Sequence, residues 1–274
     1  DFGSQGTPPT HPGLLDWLAV TFVEGGWNVN DLVKLIVTSH AYKQDSKLTP
    51  AIFARDPSNQ LLARAPRLRL DAEVLRDQAL AISGLLHNKI GGPGVKPPQP
   101  DGLWKSVGYT TSNTSNFKPD VGHEKVHRRS IYTFWKRTAP PPEMAVLNAP
   151  SREECVISRE RTNNPLQALL LLNDPQYFES ARHLAERVLR DIPDHDPAMR
   201  ANHMWKLATA RQPSKFEQET LANAYTVATQ RFQQDTNAAK ELLTVGAFPI
   251  PKDADGAELA AWTDAANVVL NLDE

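Results

Sequence analysis

Apolar positions recur every three to four residues over most of this chain, the spacing of amphipathic helices. Between Thr10 and Glu24, Leu14, Leu15, Leu18 and Phe22 form one stripe. Thr10 can cap it, Pro12 suits its first turn, and Gly25-Gly26 can end it. A second helix is expected from about Asn30 to His40, with Leu32, Leu35 and Ile36 inward. A loop is expected around Pro50 to Pro57. A third helix starts near Asp71 and presents Val74, Leu75, Ala79, Ile82 and Leu86. In the second half, Asn164-Pro165 and Asp174-Pro175 each read as a cap followed by a first-turn proline. The helix after Pro175 should bury Phe178, Ala181, Leu184, Ala185 and Val188. Further helices are expected over Met199 to Ala208, from the capping-box spacing Ser214 to Glu217 as far as Gln233, and over Glu258 to Leu272. Leu166 and Leu169 are expected in the core, Gln167 is expected to bond a neighbouring loop, and Trp17, Trp27, Trp205 and Trp262 are expected against apolar faces.

Residues 91–120 break this rhythm. Gly91-Gly92-Pro93-Gly94 and Pro97-Pro98-Gln99-Pro100 exclude regular elements, and Thr110 to Asn116 is a polar run. The stretch reads as a long loop, with a candidate subdomain seam near 91–100. Ser130 to Trp135 is rich in β-branched and aromatic residues and is the best strand candidate. The expected fold class is therefore mainly α: one multi-helix globular domain over 1–274, with long irregular loops and at most a short strand pair.

Composition narrows the function classes. The chain has 274 residues, a formal net charge of −2 and a single cysteine. Near-neutral charge leaves no electrostatic footprint for nucleic acid. No apolar run is long enough to span a bilayer. One cysteine excludes an internal disulfide, and Cys155 reads as a small buried hydrophobe. The ends, Asp1-Phe2-Gly3 and Asp273-Glu274, read as boundaries of a fragment or of a processed product.

Two constellations bear chemistry. His123-Glu124-Lys125-Val126-His127 matches H-E-x-x-H, which on a helix puts two imidazoles on one face for zinc. Gly122 before it and the strand-like run after it argue against that helix. The expectation is a solvated surface turn, no metal and no cofactor. From Lys125 to Arg161, eight basic residues stand against four acidic ones, inside a chain that is otherwise acidic. Arginine dominates, and its fork suits carboxylate, sulfate or phosphate. Bracing of the loop by these arginines is the competing reading. The candidate ligand-binding set is Trp104, Tyr109, Arg128, Arg129, Trp135, Arg137, Arg152 and Arg161, with Trp104 and Tyr109 as the aromatics most open to solvent.

The run Arg128-Arg129-Ser130-Ile131-Tyr132-Thr133-Phe134-Trp135-Lys136-Arg137-Thr138-Ala139-Pro140-Pro141-Pro142 resembles a known family. So do Ala149-Pro150-Ser151-Arg152-Glu153, Arg161-Thr162-Asn163-Asn164-Pro165-Leu166-Gln167-Ala168-Leu169 and Leu172-Asn173-Asp174-Pro175. The resemblance is to the planctomycete-type C-terminal domain of unknown function (DUF1553). Thr10-His11-Pro12 near the start and Asn267-Val268 with Leu270-Asn271-Leu272 near the end extend it over nearly the whole chain. It implies an exported multidomain protein, with a cytochrome c-like domain and a second domain of unknown function ahead of this one. It also implies a link to polysaccharide use, but supplies no catalytic residues. The first functional expectation is a non-catalytic recognition or scaffolding domain with a polysaccharide ligand. The alternative is a hydrolase-type enzyme working from the Arg-rich segment 125–161, with or without a metal.

Overall fold

The computed structural model describes residues 5–99, 117–136, 140–251 and 255–272. The described residues are mainly helical, as the periodicity predicts, and the chain forms two compact units, Asp1–Leu68 and Arg69–Glu274. Trp104, Tyr109 and Arg137 lie outside the described residues.

The first unit holds α1 (Pro12–Glu24), α2 (Val29–Thr38) and α3 (Pro50–Arg55). Pro12 sits in the first turn of α1 as expected, but His11 occupies the cap position and makes no side-chain cap bond. Asn28 caps α2 by accepting from the Asn30 and Asp31 amides. The expected loop at Pro50 to Pro57 instead begins with a short helix, because Thr49 accepts from the Ile52 amide and Pro50 follows it. Asp56 is the one residue of this unit that is buried among those described. Its carboxylate accepts from the Gln60 and Leu61 amides at 2.8 and 2.7 Å, and these bonds hold its pKa down. Trp17 and Trp27, expected in the core, are exposed, as are Leu14, Leu15 and Ile36. Three helices, one of them only 6 residues long, have too few layers to cover the apolar stripes that their spacing creates.

The second unit carries the core. It contains α4 (Ala72–Ser83), α5 (His123–Val126), a 3₁₀ turn (Ser130–Tyr132), α6 (Pro142–Val146), α7 (Pro165–Asn173), α8 (Pro175–Asp191), α9 (Pro197–Thr209), α10 (Lys215–Gln234), α11 (Thr236–Leu243) and α12 (Gly256–Leu270). The seam expected near 91–100 falls inside this unit. Helix α12 packs on α8, α9, α10 and α11, while α4 lies against α8. Leu184, Ala185 and Val188 of α8 meet Leu259, Trp262 and Ala266 of α12, with Met204 and Phe232 closing the cluster. Tyr225 stacks on Trp262 with ring centroids 4.3 Å apart. Each large side chain fully buried here contributes about 1.5–3 kcal/mol.

The caps are those expected. Asn164 and Gln167, and Ser214 and Glu217, form reciprocal capping boxes, and Asp174 accepts from the Gln176 amide at 2.9 Å. Gln167 is fully buried and donates to the Val146 carbonyl and the Thr162 hydroxyl. Its neighbours Leu166 and Leu169 are exposed, 59 % and 57 %, against the expectation of core. On α7 the buried positions are Gln167 and Leu171, a face rotated away from both leucines. Val74 is likewise exposed, because α4 turns Ala72, Arg76, Ala79, Leu80 and Ser83 inward. The strand candidate Ser130 to Trp135 is not a strand. It opens with the 3₁₀ turn and makes an isolated bridge, Thr133 to Val95, while Arg128 bridges His87. No strand occurs among the described residues. Cys155, expected buried, is exposed.

Truncating Leu259, which is fully buried, should cost about 2–5 kcal/mol. Leu166→Ala, on the exposed face of α7, should stay within about 0.5 kcal/mol. Paired urea denaturation curves check both values, and the reverse order would misplace the core.

Candidate functional site

Arg76 organises the polar half of the second unit. Its guanidinium is buried on α4 and donates to the carbonyls of Val126 and Arg128, each at 2.8 Å. It also reaches Ser130 Oγ at 3.2 Å and Gln176 Oε1 at 2.8 Å. Burial lowers its pKa, and the nearby Tyr177, Asp77, Glu143 and Asp174 oppose that effect. The two carbonyls that it takes flank His127, so the backbone around His127 is pinned on both sides.

The H-E-x-x-H segment is helical after all: His123–Val126 forms one turn, α5, with His127 at its end. The following residues tighten into a 3₁₀ turn rather than a strand, which removes the reason for excluding a helix. Spacing of four then brings the imidazoles together, with His123 Nδ1 and His127 Nδ1 3.1 Å apart. Behind them, His127 Nε2 lies 3.2 Å from Glu179 Oε2, both side chains almost completely buried. The His87 amide donates to the His127 carbonyl at 2.9 Å, and the His87 ring stands edge-on to His123 at 5.6 Å between centroids.

Glu179 is the anchor of this arrangement. Its Oε1 accepts from the amides of Ala247 and Phe248 at 2.9 and 2.7 Å. Burial pushes its pKa up, but the bonds from His127 and these amides outweigh it, and the net shift is downward. Arg182, fully buried, donates to the Phe248 carbonyl at 2.8 Å. Phe248 is thereby held from both sides of its backbone and lies edge-on to His123 and His183 and tilted against His127. Gly246 makes this loop possible. Its φ is +109°, and a Cβ there would come within 2.7–2.8 Å of the Glu179 side chain.

Proton positions follow from these contacts. A carboxylate accepts only, so His127 Nε2 carries a hydrogen, and in the tautomer protonated there alone Nδ1 accepts. His123 Nδ1 is then the donor, and its Nε2 is bare. His123 is half-buried and its pKa is lowered, first by burial and then by the charges of His127 and His87. His183 is lowered to about 4 by burial and by Arg182. Among the described residues, no three His, Cys, Asp or Glu side chains converge as a metal site.

The Arg-rich segment divides by what each arginine touches. Arg128 is buried, donates to the carbonyls of Lys89, Gly91 and Pro93, and stacks on Tyr132 at 3.8 Å. Arg129, exposed, pairs with Asp77 at 3.3 Å. Arg159 pairs with Glu73 at 2.6 Å, which raises its pKa. Arg152 lies over Trp135 at 4.5 Å, and Trp135 Nε1 donates to the Ser151 carbonyl. Arg161 is exposed and lines a shallow surface dent with Arg69, Leu70, Asp71, Leu147, Asn148, Glu160 and Thr162. The structure thus brings Trp135 and Arg152 together, keeps Arg128 inside the loop frame, and places Arg161 at the depression.

Sequence reasoning missed Glu179, His183, His87 and Phe248. The first two stand on α8 among residues that read as a polar outer face. The α8 positions Glu179, Ser180 and Arg182 are in fact buried.

These features define a mainly α protein whose polar loops are braced by buried arginines around a carboxylate–histidine–histidine relay. The family model described as PSD1, protein of unknown function (DUF1553), matches residues 1–225, and the chain belongs to that family. No curated protein and no solved structure matches it. No described helix is long and apolar enough to cross a membrane.

Two predictions follow from the site. Gly246→Ala should destabilise the fold by about 1–3 kcal/mol, since the new methyl group meets both a forbidden φ and Glu179; thermal denaturation reads this, and an unchanged midpoint would remove Gly246 from the anchor. The second concerns pH. Burial raises Glu143 to about 7 from 4.5, so the folded state keeps a proton that the unfolded state has lost, and stability falls as pH rises from 4.5 through about 7. His183 acts oppositely: the unfolded ring takes a proton below about 6.5 that the folded ring refuses until about 4, so stability falls as pH drops through that window. In melts across pH 4–8, Glu143→Gln should flatten the first decline and His183→Gln the second.

Proposed function

We propose that this chain is a non-catalytic recognition or scaffolding domain of an exported multidomain protein, with polysaccharide as its ligand class. The observation that carries the reading is the depression at Arg161. Beside Leu70 and Leu147, its lining offers guanidinium, carboxylate, amide and hydroxyl groups, a mixture that matches the donors and acceptors of sugar hydroxyls. Arg69 Nε is buried beside it with no hydrogen-bond partner. In this reading Arg161, Arg152, Arg129 and Arg137 supply the polar contacts, with Trp135, Trp104 and Tyr109 as the stacking surfaces. Arg128 instead holds the Lys89 to Pro93 segment, since its two terminal nitrogens are committed to three carbonyls. Covalent linkage to a cytochrome c-like domain and export belong to the same reading and rest on the family resemblance.

A second reading is favoured by one feature. The relay from Glu179 through His127 to His123 leaves a bare imidazole nitrogen, which is what a general base in a hydrolase-type enzyme requires. Binding without turnover separates the two.

A screen of neutral, uronic-acid and sulfated polysaccharides by affinity electrophoresis should find at least one that is retarded. Arg161→Ala and Trp104→Ala should each weaken that retardation about tenfold while the circular dichroism spectrum stays unchanged. Chromatography of the recovered polysaccharide should show its original chain length. Retention untouched by both substitutions would remove the site, and shortened chains would move the assignment to the enzyme.

A further inference from the structure

We propose that His123 and His127 form an open binding site for a late first-row divalent cation such as zinc or cobalt, in which the cation takes the place of the proton that the two rings now share. The geometry is already close. The two Nδ1 atoms point at one another across 3.1 Å. Tetrahedral coordination with bonds of about 2.0–2.1 Å needs two nitrogens about 3.3 Å apart, a change of a few tenths of an ångström. The rings sit on one helical turn at a spacing of four, so rotation about the side-chain bonds supplies that change without moving the backbone that Arg76 pins.

The second shell is built as metal-binding histidines require. A ligating imidazole is oriented by a carboxylate on its other nitrogen, which selects the tautomer and raises the basicity of the ligand atom. Glu179 does this to His127: Oε2 takes the Nε2 hydrogen at 3.2 Å and leaves the Nδ1 lone pair toward His123. Glu179 is itself held by the Ala247 and Phe248 amides, so the orientation does not relax. Binding requires one tautomer change, the His123 proton passing from Nδ1 to Nε2, with no net proton released.

Phe248 closes one side of the pair at ring separations of 5.3 and 5.5 Å. His87 approaches His123 from another direction at 5.6 Å. Two imidazoles do not complete a coordination sphere, so water fills the remaining positions and the cation exchanges. Protein purified without added metal is therefore expected to come out largely empty, and the site loads when the cation is supplied. This places two protein ligands side by side, one half-buried and one buried, independently of the polysaccharide reading.

The experiment is titration of the full chain with zinc chloride by calorimetry, repeated with cobalt chloride while the visible absorption of cobalt is recorded. One equivalent should bind, with the intense, red-shifted cobalt bands of a low-coordinate nitrogen site. His123→Ala should weaken binding at least about tenfold. His123→Phe, which keeps a ring against Phe248, should do the same if the alanine variant folds poorly. Glu179→Gln should weaken it by about 10–100-fold through the orientation of His127. His203→Ala, in α9 and paired with Asp191, should leave it unchanged. No heat and no cobalt band with the folded wild type would overturn the proposal and leave the pair as a shared hydrogen bond. Binding that survives in both His123 variants would also overturn it.

Discussion

A guanidinium buried on α4 is the constraint from which the polar half of this protein follows. Arg76 is buried, and a buried charge left without partners costs several kcal/mol. It meets that demand with backbone carbonyls on either side of His127, a serine hydroxyl and a glutamine on α8. The segment from residue 126 to 130 is therefore tied to two helices at once. The loop is ordered by hydrogen bonds to a charge rather than by apolar packing.

The same device recurs twice around it. Arg128 reaches across to the carbonyls of Lys89, Gly91 and Pro93, in a glycine- and proline-rich stretch that cannot satisfy its own backbone groups. Arg182 takes the Phe248 carbonyl while Glu179 takes the Ala247 and Phe248 amides. Each of these three segments has a buried ionic side chain as its hydrogen-bond partner. The histidine pair lies where two of these systems meet, held from below by Arg76 and from behind by Glu179. It is rigid for that reason, and rigidity is what makes a 3.1 Å approach of two ring nitrogens chemically meaningful.

The positive segment from Lys125 to Arg161 is consequently two things at once. Arg128 and Arg159 are committed to bonds that hold the fold, whereas Arg161 faces an open depression. Charge counting along the chain sees eight cations and cannot rank them. Which arginine is spent and which is available is set by the carbonyls and carboxylates that folding brings within reach.

The sequence by itself determined the helices with strong local signals. The capping boxes at Asn164 and Ser214, the cap-proline pairs and the α12 stripe all act within a few residues, so local propensity decides them. The family was legible for a similar reason, in the long run from Arg128 to Pro142 and the Asn163 to Leu169 motif. Tertiary structure alone decided three further matters. It turned α7 so that Gln167, not Leu166, entered the core, since the amide had a carbonyl and a hydroxyl to meet there. It made Ser130 to Tyr132 a tight turn although its residue types favour a strand, because no partner strand exists among the described residues. It drew together His123, His127, Glu179 and Phe248, which lie as much as 125 positions apart. Contacts over such separations are set by how helices pack and by which buried polar groups must find partners, and neither leaves a periodic trace in the chain.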